Sequence, residues 1–252
     1  MKNLLTFCFA LILVTSCNKK KFFDGPNAYS DDFESYSTFE DLFVEGDLKW
    51  SYTQQTKSEN IISLDTNRKH SGNYALKFSA KKSDDVLSKC SISKQKMAFW
   101  DGETMQVSVW YYLEGNESYE WLFLLDLEEQ ASIGAGPGMR LALVDNKLRI
   151  EHKYNEKDII QEVGKEIDFP RNQWVNLVWE VKLSQKKKGT VKLWQDGNLL
   201  ITKENHRTLP KDILYFQQGT KGMYSSVEFG VTANSKDNDI NLWLDDVEVK
   251  RF

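Results

Sequence analysis

Arg149, Glu151 and Lys153 stand two apart in Arg149-Ile150-Glu151-His152-Lys153. Alternate side chains of a strand share a face, so this spacing sets a guanidinium, a carboxylate and an ammonium in one row. Such a row can bind an acidic sugar, or it can be a solvated outer face of alternating charge. Lys221 and Tyr224, in Lys221-Gly222-Met223-Tyr224, place a cation and a phenol three apart. The phenol can serve as acid or base, although a glycine turn leading into a strand explains the same residues. His70 and His206 fall in expected loops and read as surface residues, whereas His152 has the phase opposite to Glu151 and reads as core.

Aromatic rings need less machinery to bind sugars, because a flat ring stacks on the C–H face of a pyranose while a few polar groups fix its hydroxyls. Trp110, Tyr112, Trp121, Trp194 and Trp243 all lie in strand-like text. Trp194 and Trp243 have the phase opposite to the aliphatics of their strands, which points both away from a core. They are the expected stacking platforms, with Arg149 beside them as an anion contact. Carbohydrate binding without catalysis is accordingly the leading expectation, with an enzyme as its alternative and a structural envelope protein as a third reading.

The N-terminus carries an address. Lys2 precedes an apolar run from Leu4 to Val14, then Thr15-Ser16-Cys17 and Asn18-Lys19-Lys20-Lys21. A basic start, a short apolar stretch and small residues before a cleavage point make a secretory signal, too short to span a bilayer as a helix. Val14-Thr15-Ser16-Cys17 resembles the bacterial lipobox, which implies lipidation of Cys17 and attachment to a membrane through acyl chains. Residues 1–16 are thus expected to be signal, residues 17–29 a lipidated tether and residues 30–252 the folded domain.

Which elements would hold these groups? The chain has 252 residues, 40% of them hydrophobic and 13% aromatic, enough for one large core. Its net charge of −4, with both signs interspersed, carries no nucleic-acid footprint. Once Cys8 and Cys17 are set aside, Cys90 alone remains and reads as a small buried hydrophobe. Period-two alternation recurs from residue 30 onward. Val175, Leu177, Trp179 and Val181 alternate with Asn176, Val178, Glu180 and Lys182, and Val227, Phe229 and Val231 with Glu228, Gly230 and Thr232. Asp196-Gly197 and Asp145-Asn146 each divide two strand-like runs and predict hairpins. The apolar phase slips at Asp245-Asp246, which predicts a bulge. The reading is an all-β, two-sheet sandwich of jelly-roll type.

Asp31-Asp32-Phe33-Glu34-Ser35, Trp50, His70-Ser71-Gly72-Asn73-Tyr74 and Leu242-Trp243-Leu244-Asp245-Asp246-Val247 occur in the order seen in jelly-roll carbohydrate-binding modules and concanavalin A-like domains. The stretch from Asn172 to Lys182, then Gly189 to Gly197 and Lys221 to Tyr224, resembles the heparin-lyase-type polysaccharide lyases. Arg149-x-Glu151-x-Lys153 is similar to an Arg-x-Glu-x-Arg strand of alginate lyases. The enzyme alternative is then β-elimination on a uronate-containing glycan, with Arg149, Lys153, Lys221 and Tyr224 as its residues. The lyases so resembled carry glutamine and histidine on a central strand, and residues 120–127 here have neither. In the modules, a calcium ion joins the first and last strands. Glu34, Ser71, Asn73 and Asp246 match its ligand positions, and calcium favours such oxygen donors.

Overall fold

The computed structural model describes residues 25–44, 49–131, 134–152, 157–209, 223–234 and 238–252. Fourteen strands run through them: β1 (Ala28–Asp31), β2 (Tyr52–Gln55), β3 (Ile61–Asp65), β4 (Ala75–Ala80), β5 (Ser88–Trp100), β6 (Thr104–Leu113), β7 (Leu122–Ala131), β8 (Gly134–Val144), β9 (Lys147–His152), β10 (Trp174–Lys182), β11 (Gly189–Gln195), β12 (Asn198–His206), β13 (Met223–Asn234) and β14 (Ile240–Arg251). One 3-10 turn, Phe39–Phe43, breaks the pattern. The strands form two antiparallel sheets. The larger runs β12-β11-β10-β6-β14-β4-β3 with β1 also on β14, and the smaller runs β2-β5-β13-β7-β8-β9. This is the expected jelly-roll sandwich.

Alternation places the core. Val175, Leu177, Trp179 and Val181 of β10 are buried and the residues between them are not, so the larger sheet has a dry face and a wetter one. From the other sheet Leu125, Leu127, Val227 and Phe229 meet this face, and the Tyr111 hydroxyl crosses to donate to the Leu124 carbonyl at 2.7 Å. Each fully buried side chain of this size contributes about 1.5–3 kcal/mol. Both sequence-predicted hairpins form: Asp145 and Asn146 have φ of 48° and 61°, and Asp196 and Gly197 of 48° and 77°, the left-handed pair that a two-residue turn requires.

The slip at Asp245-Asp246 is also real, and it has a purpose in the topology. Up to Leu244, β14 pairs with β4; from Val247 its same edge pairs with β1. The register against β6 shifts between Asp245 and Glu248, and Asp246 takes φ of 46°. A bulge therefore hands one strand edge from one partner to the next. β1 itself begins at Ala28, two residues inside the expected tether. Its last residue, Asp31, is buried and accepts from the Tyr29 hydroxyl (3.0 Å), the Tyr36 hydroxyl (2.5 Å), the Trp50 indole (2.8 Å) and the Phe33 amide (2.9 Å). Four donors replace the water this carboxylate gives up. Cys90 is buried as expected, and burial pushes its thiol up to about 12.

β13 departs from the expected one-sided pattern. Glu228 and Thr232, opposite in phase to Val227 and Val231, are fully buried as well. The reason lies on the outer face of the smaller sheet.

Candidate active site

Antiparallel register lines up one side chain from each strand of the smaller sheet. Tyr52 of β2 pairs with Ser93 of β5, Ser93 with Glu228 of β13, Glu228 with Asp126 of β7, Asp126 with Arg140 of β8, and Arg140 with Glu151 of β9. The row crosses the whole sheet on the face away from the core. On β7 the phase is explicit, because Leu125 and Leu127 enter the core while Asp126 and Glu128 point the other way.

Hydrogen bonds knit this row together. Arg140 donates from Nε to Asp126 Oδ2 at 3.1 Å and sets Nη1 3.7 Å from Glu151 Oε1, with its guanidinium 3.6 Å from the centre of the Phe123 ring. Thr232 donates to Asp126 Oδ1 at 2.8 Å. Glu128 Oε2 accepts from Ser226 (3.1 Å) and from the Tyr52 hydroxyl (3.2 Å), and Glu228 accepts from Ser91. Burial first, and then the neighbouring Glu128 and Asp126 carboxylates, hold Glu228 well above the usual carboxylate range. Burial also raises Glu128.

The row opens to solvent at its β8–β9 end, in a cavity of about 570 Å³ lined by Trp121, Phe123, Arg140, Arg149, Glu151 and Asp158, among others. A second cavity, of about 300 Å³, shares Val144, Asp145 and Arg149 with it and continues past Lys147 and Glu166. The two cavities adjoin at these three residues and are taken together as the cleft. Arg149 and Glu151 lie on one face of β9, and Arg149 donates to Asp158 at 3.0 Å. Burial raises the Glu151 carboxyl, Asp158 and Asp126 push it the same way, and Arg140 opposes them.

Among the expected residues, Arg149 is thus in the cleft. Lys153 and Lys221 lie outside the described residues, as does Cys17. Tyr224, expected as an acid or base, is instead a core residue with no exposed surface, and its hydroxyl donates to the Thr208 carbonyl at 2.6 Å. Trp194 and Trp243 do point out of the core, but on the larger sheet, away from the cleft. Trp243 is only 3% exposed: Arg68 and Lys77 cover its ring at 4.2 and 4.8 Å, and its indole donates to Asp65 at 2.6 Å. It cannot serve as an open platform. Among the aromatic residues noted in the sequence, Trp121 lines the cleft, beside Phe123, and its phase alone could not say which sheet it faced. His206 is buried rather than on the surface, its Nε2 3.3 Å from Nδ1 of buried His152. Sequence reading missed Tyr52, Asp126, Glu128, Arg140 and Glu228; the one signal available was the polar phase of Asp126-x-Glu128 inside an apolar strand.

The expected calcium ligands come together in two halves. Glu34 Oε1 accepts from the Asn73 and Tyr74 amides at 2.7 and 2.8 Å, and Oε2 from Asn73 Nδ2 at 2.9 Å. These N–H groups, Asn73 foremost, hold Glu34 below the usual carboxylate range. Ser71 donates to Asp246 Oδ1 at 2.9 Å, His70 Nδ1 lies 2.6 Å from Asp246 Oδ2, and buried Asp245 accepts from the His70 and Ser71 amides at 2.8 and 3.2 Å. Burial pushes Asp245 up to about 6. Calcium requires about six to eight oxygens facing one point. Here the Asn73 and Tyr74 N–H groups engage Glu34, and the Ser71 hydroxyl engages Asp246. These contacts make a hydrogen-bonded clasp between the β3–β4 loop and the β14 bulge.

The fold and site together make a jelly-roll sandwich bearing an arginine- and carboxylate-lined cleft on the outer face of one sheet. Residues 43–248 match the model of the polysaccharide lyase family, and the chain belongs to that family. This overturns the expectation of a non-catalytic binding domain in favour of its enzyme alternative. No curated protein matches. Among solved structures, the chain is similar to the endo-β-1,4-glucuronan lyase of the fungus Trichoderma reesei, with a TM-score of 0.64 and 14% identity over 80% of this chain and 90% of that one. It is also similar to the cellulose-induced protein Cip1, with a TM-score of 0.59 and 19% identity over 87% and 95%. A third likeness is to the alginate lyase Aly36B, with a TM-score of 0.58 and 10% identity over 89% and 97%. At these identities the likeness establishes the fold.

Proposed function

We propose that this chain is a polysaccharide lyase that cleaves an acidic, uronate-containing glycan by β-elimination in the cleft of the smaller sheet. The observation that carries this reading is the registered row from Tyr52 to Glu151, which ends where Arg140, Arg149 and Glu151 line one cavity. Elimination needs the uronate carboxylate neutralised, so that the C5 proton becomes acidic, and a base to remove that proton. Arg140 and Arg149 supply the first. Glu151, raised by burial toward the pH at which a base works best, supplies the second. The C5–H bond breaks, the C4–C5 double bond forms, the C4–O4 bond breaks, and the proton gained by Glu151 returns to O4. Asp126, held by Thr232, fixes Arg140 behind the substrate.

Export and lipid anchoring at Cys17 belong to the same proposal and rest on the signal-like N-terminus. The test is incubation with a panel of uronate glycans while following the ultraviolet absorbance of the unsaturated product. Absorbance should rise, and Glu151→Gln should lower kcat at least about 100-fold with little change in KM. Absence of product from every uronate polymer would reject the reading.

A further inference from the structure

One end of the sandwich carries charge that neither the core nor the cleft uses. Lys182, Lys186, Lys187 and Lys188, where β10 turns into β11, are all exposed, and none of them forms an ion pair among the described residues. Lys192, the next lysine along, is the contrast, with its Nζ 3.6 Å from Glu180. The turn is held from both sides. The Gly102 amide donates to the Leu183 carbonyl at 2.9 Å, the Gln185 amide to Asp101 Oδ1 at 2.9 Å, and the Ser184 amide to Thr208 Oγ1 at 2.7 Å. Asp101 and Glu103 of the neighbouring β5–β6 turn accept from the Gln185 and Trp100 amides and leave the lysines unpaired.

The chain enters the domain at this same end. Lys182 pairs with Thr104, the Thr104 amide donates to the Phe252 carbonyl at 2.8 Å, and the Arg251 amide donates to the Asn27 carbonyl at 2.8 Å. From β10 across β6 and β14 to the chain leading into β1 is three strand spacings, about 14 Å. The stretch from Cys17 to Gly25 can reach at most about 28 Å, so an anchor at Cys17 keeps this end near a membrane. The cleft lies toward the opposite end. There the Asn172 amide donates to the carbonyl of Leu113, the last residue of β6, Arg171 donates to the Tyr119 hydroxyl at 3.2 Å, and the Asp145 amide donates to the Tyr119 carbonyl at 3.4 Å. The length of β6, about 30 Å, thus separates the lysines from the Trp121 and Asp145 border of the cleft.

Unpaired ammonium groups suit phosphate headgroups, and Phe252, 63% exposed at the same end, adds a ring suited to the lipid interface. We propose that the lysine end docks on an anionic membrane surface and stands the domain upright, with its cleft turned away from the bilayer. This extends the anchoring reading: Cys17 fixes attachment and the lysines fix orientation. Such charges are screened beyond about 8 Å at physiological salt, so they orient the chain rather than hold it. A uronate polymer is the other polyanion this end could meet, and the place of chain entry favours the membrane.

The test uses residues 17–252 with Cys17→Ser, which contain every described element and no lipid, sedimented with vesicles of phosphatidylcholine alone or mixed with phosphatidylglycerol. Binding should require phosphatidylglycerol and weaken with salt. It should fall about tenfold or more in Lys186→Gln with Lys187→Gln, since each lysine near an anionic surface strengthens binding about fivefold. Lys82→Gln with Lys165→Gln removes the same charge from exposed positions away from this end and should leave binding unchanged. No binding to phosphatidylglycerol vesicles, or a loss no larger in the first variant than in the second, overturns the inference. Soluble alginate is the other arm: if the first variant loses alginate binding and keeps vesicle binding, the end is a glycan site and the membrane proposal falls. Lipidation does not enter this measurement, so the anchoring reading and this one fail separately.

Discussion

His152 and His206 show how much a single buried pair can weigh. His152 ends β9 in the smaller sheet and His206 ends β12 in the larger, so their contact ties one sheet edge to the other. Burial first, and then His206 and Arg207, push His152 down to about 4. The folded protein therefore holds fewer protons on His152 than the unfolded chain between about pH 4 and 6.5. Its contribution is present in full above that window and is lost as pH falls through it, by at most about 3 kcal/mol. Denaturant unfolding followed from pH 7 to 4 should show stability falling, and His152→Gln should flatten that part of the curve. Asp245, raised to about 6, acts in the opposite sense, since its folded state gains protons over the range where the unfolded state has lost them. A slope unchanged in His152→Gln would assign the acid loss to other groups.

At the level of elements, two irregularities shape the sheets. Gly230 takes φ of 114° in β13, and a Cβ there would stand 2.8 Å from the Cys90 carbonyl oxygen and from the Phe78 ring. Only glycine fits, because both neighbours are packed and neither is the end of a flexible side chain. Gly230→Ala should cost roughly 1–3 kcal/mol in strain, with the clash added, read as a lower denaturation midpoint. The other irregularity is the bulge of β14 and the clasp around it. Since N–H groups already satisfy Glu34, millimolar calcium added to chelator-treated protein should leave Tm unchanged, and Glu34→Gln should lower Tm equally with and without calcium. A calcium-dependent rise lost in Glu34→Gln would restore the metal site.

For the whole molecule, the cleft is assembled from residues far apart in the chain, from Trp121 in the first half to the β8–β9 hairpin and Asp158 beyond it. Such a site forms only when the smaller sheet is complete, so loss of sheet register should abolish activity before it abolishes secondary structure. The anchoring proposal is also a property of the whole. Cys17→Ser should leave the protein in the soluble fraction or unprocessed, as seen by membrane fractionation and mass. Retention with membranes after correct cleavage would reject lipidation.

What the amino-acid order determined by itself was local: period-two alternation, the Asp145-Asn146 and Asp196-Gly197 turns, the slip at Asp245-Asp246 and the burial of Cys90. Each depends on neighbours within a few residues and so can be read along the chain. The face of β9 shared by Arg149 and Glu151 was legible for the same reason. Which sheet an outward residue belongs to was not, because alternation gives a side and not a partner. Trp243 and Trp121 are both rings beside apolar runs, yet antiparallel register places one beneath Arg68 on the larger sheet and the other in the cleft. Tyr224 left the site, and Glu228, Asp126 and Arg140 entered its row, through pairings across strands tens of residues apart. Only the folded sheet buries Glu228 and brings Glu128 and Asp126 close enough to raise it, since that effect depends on distance and burial that the linear chain does not contain.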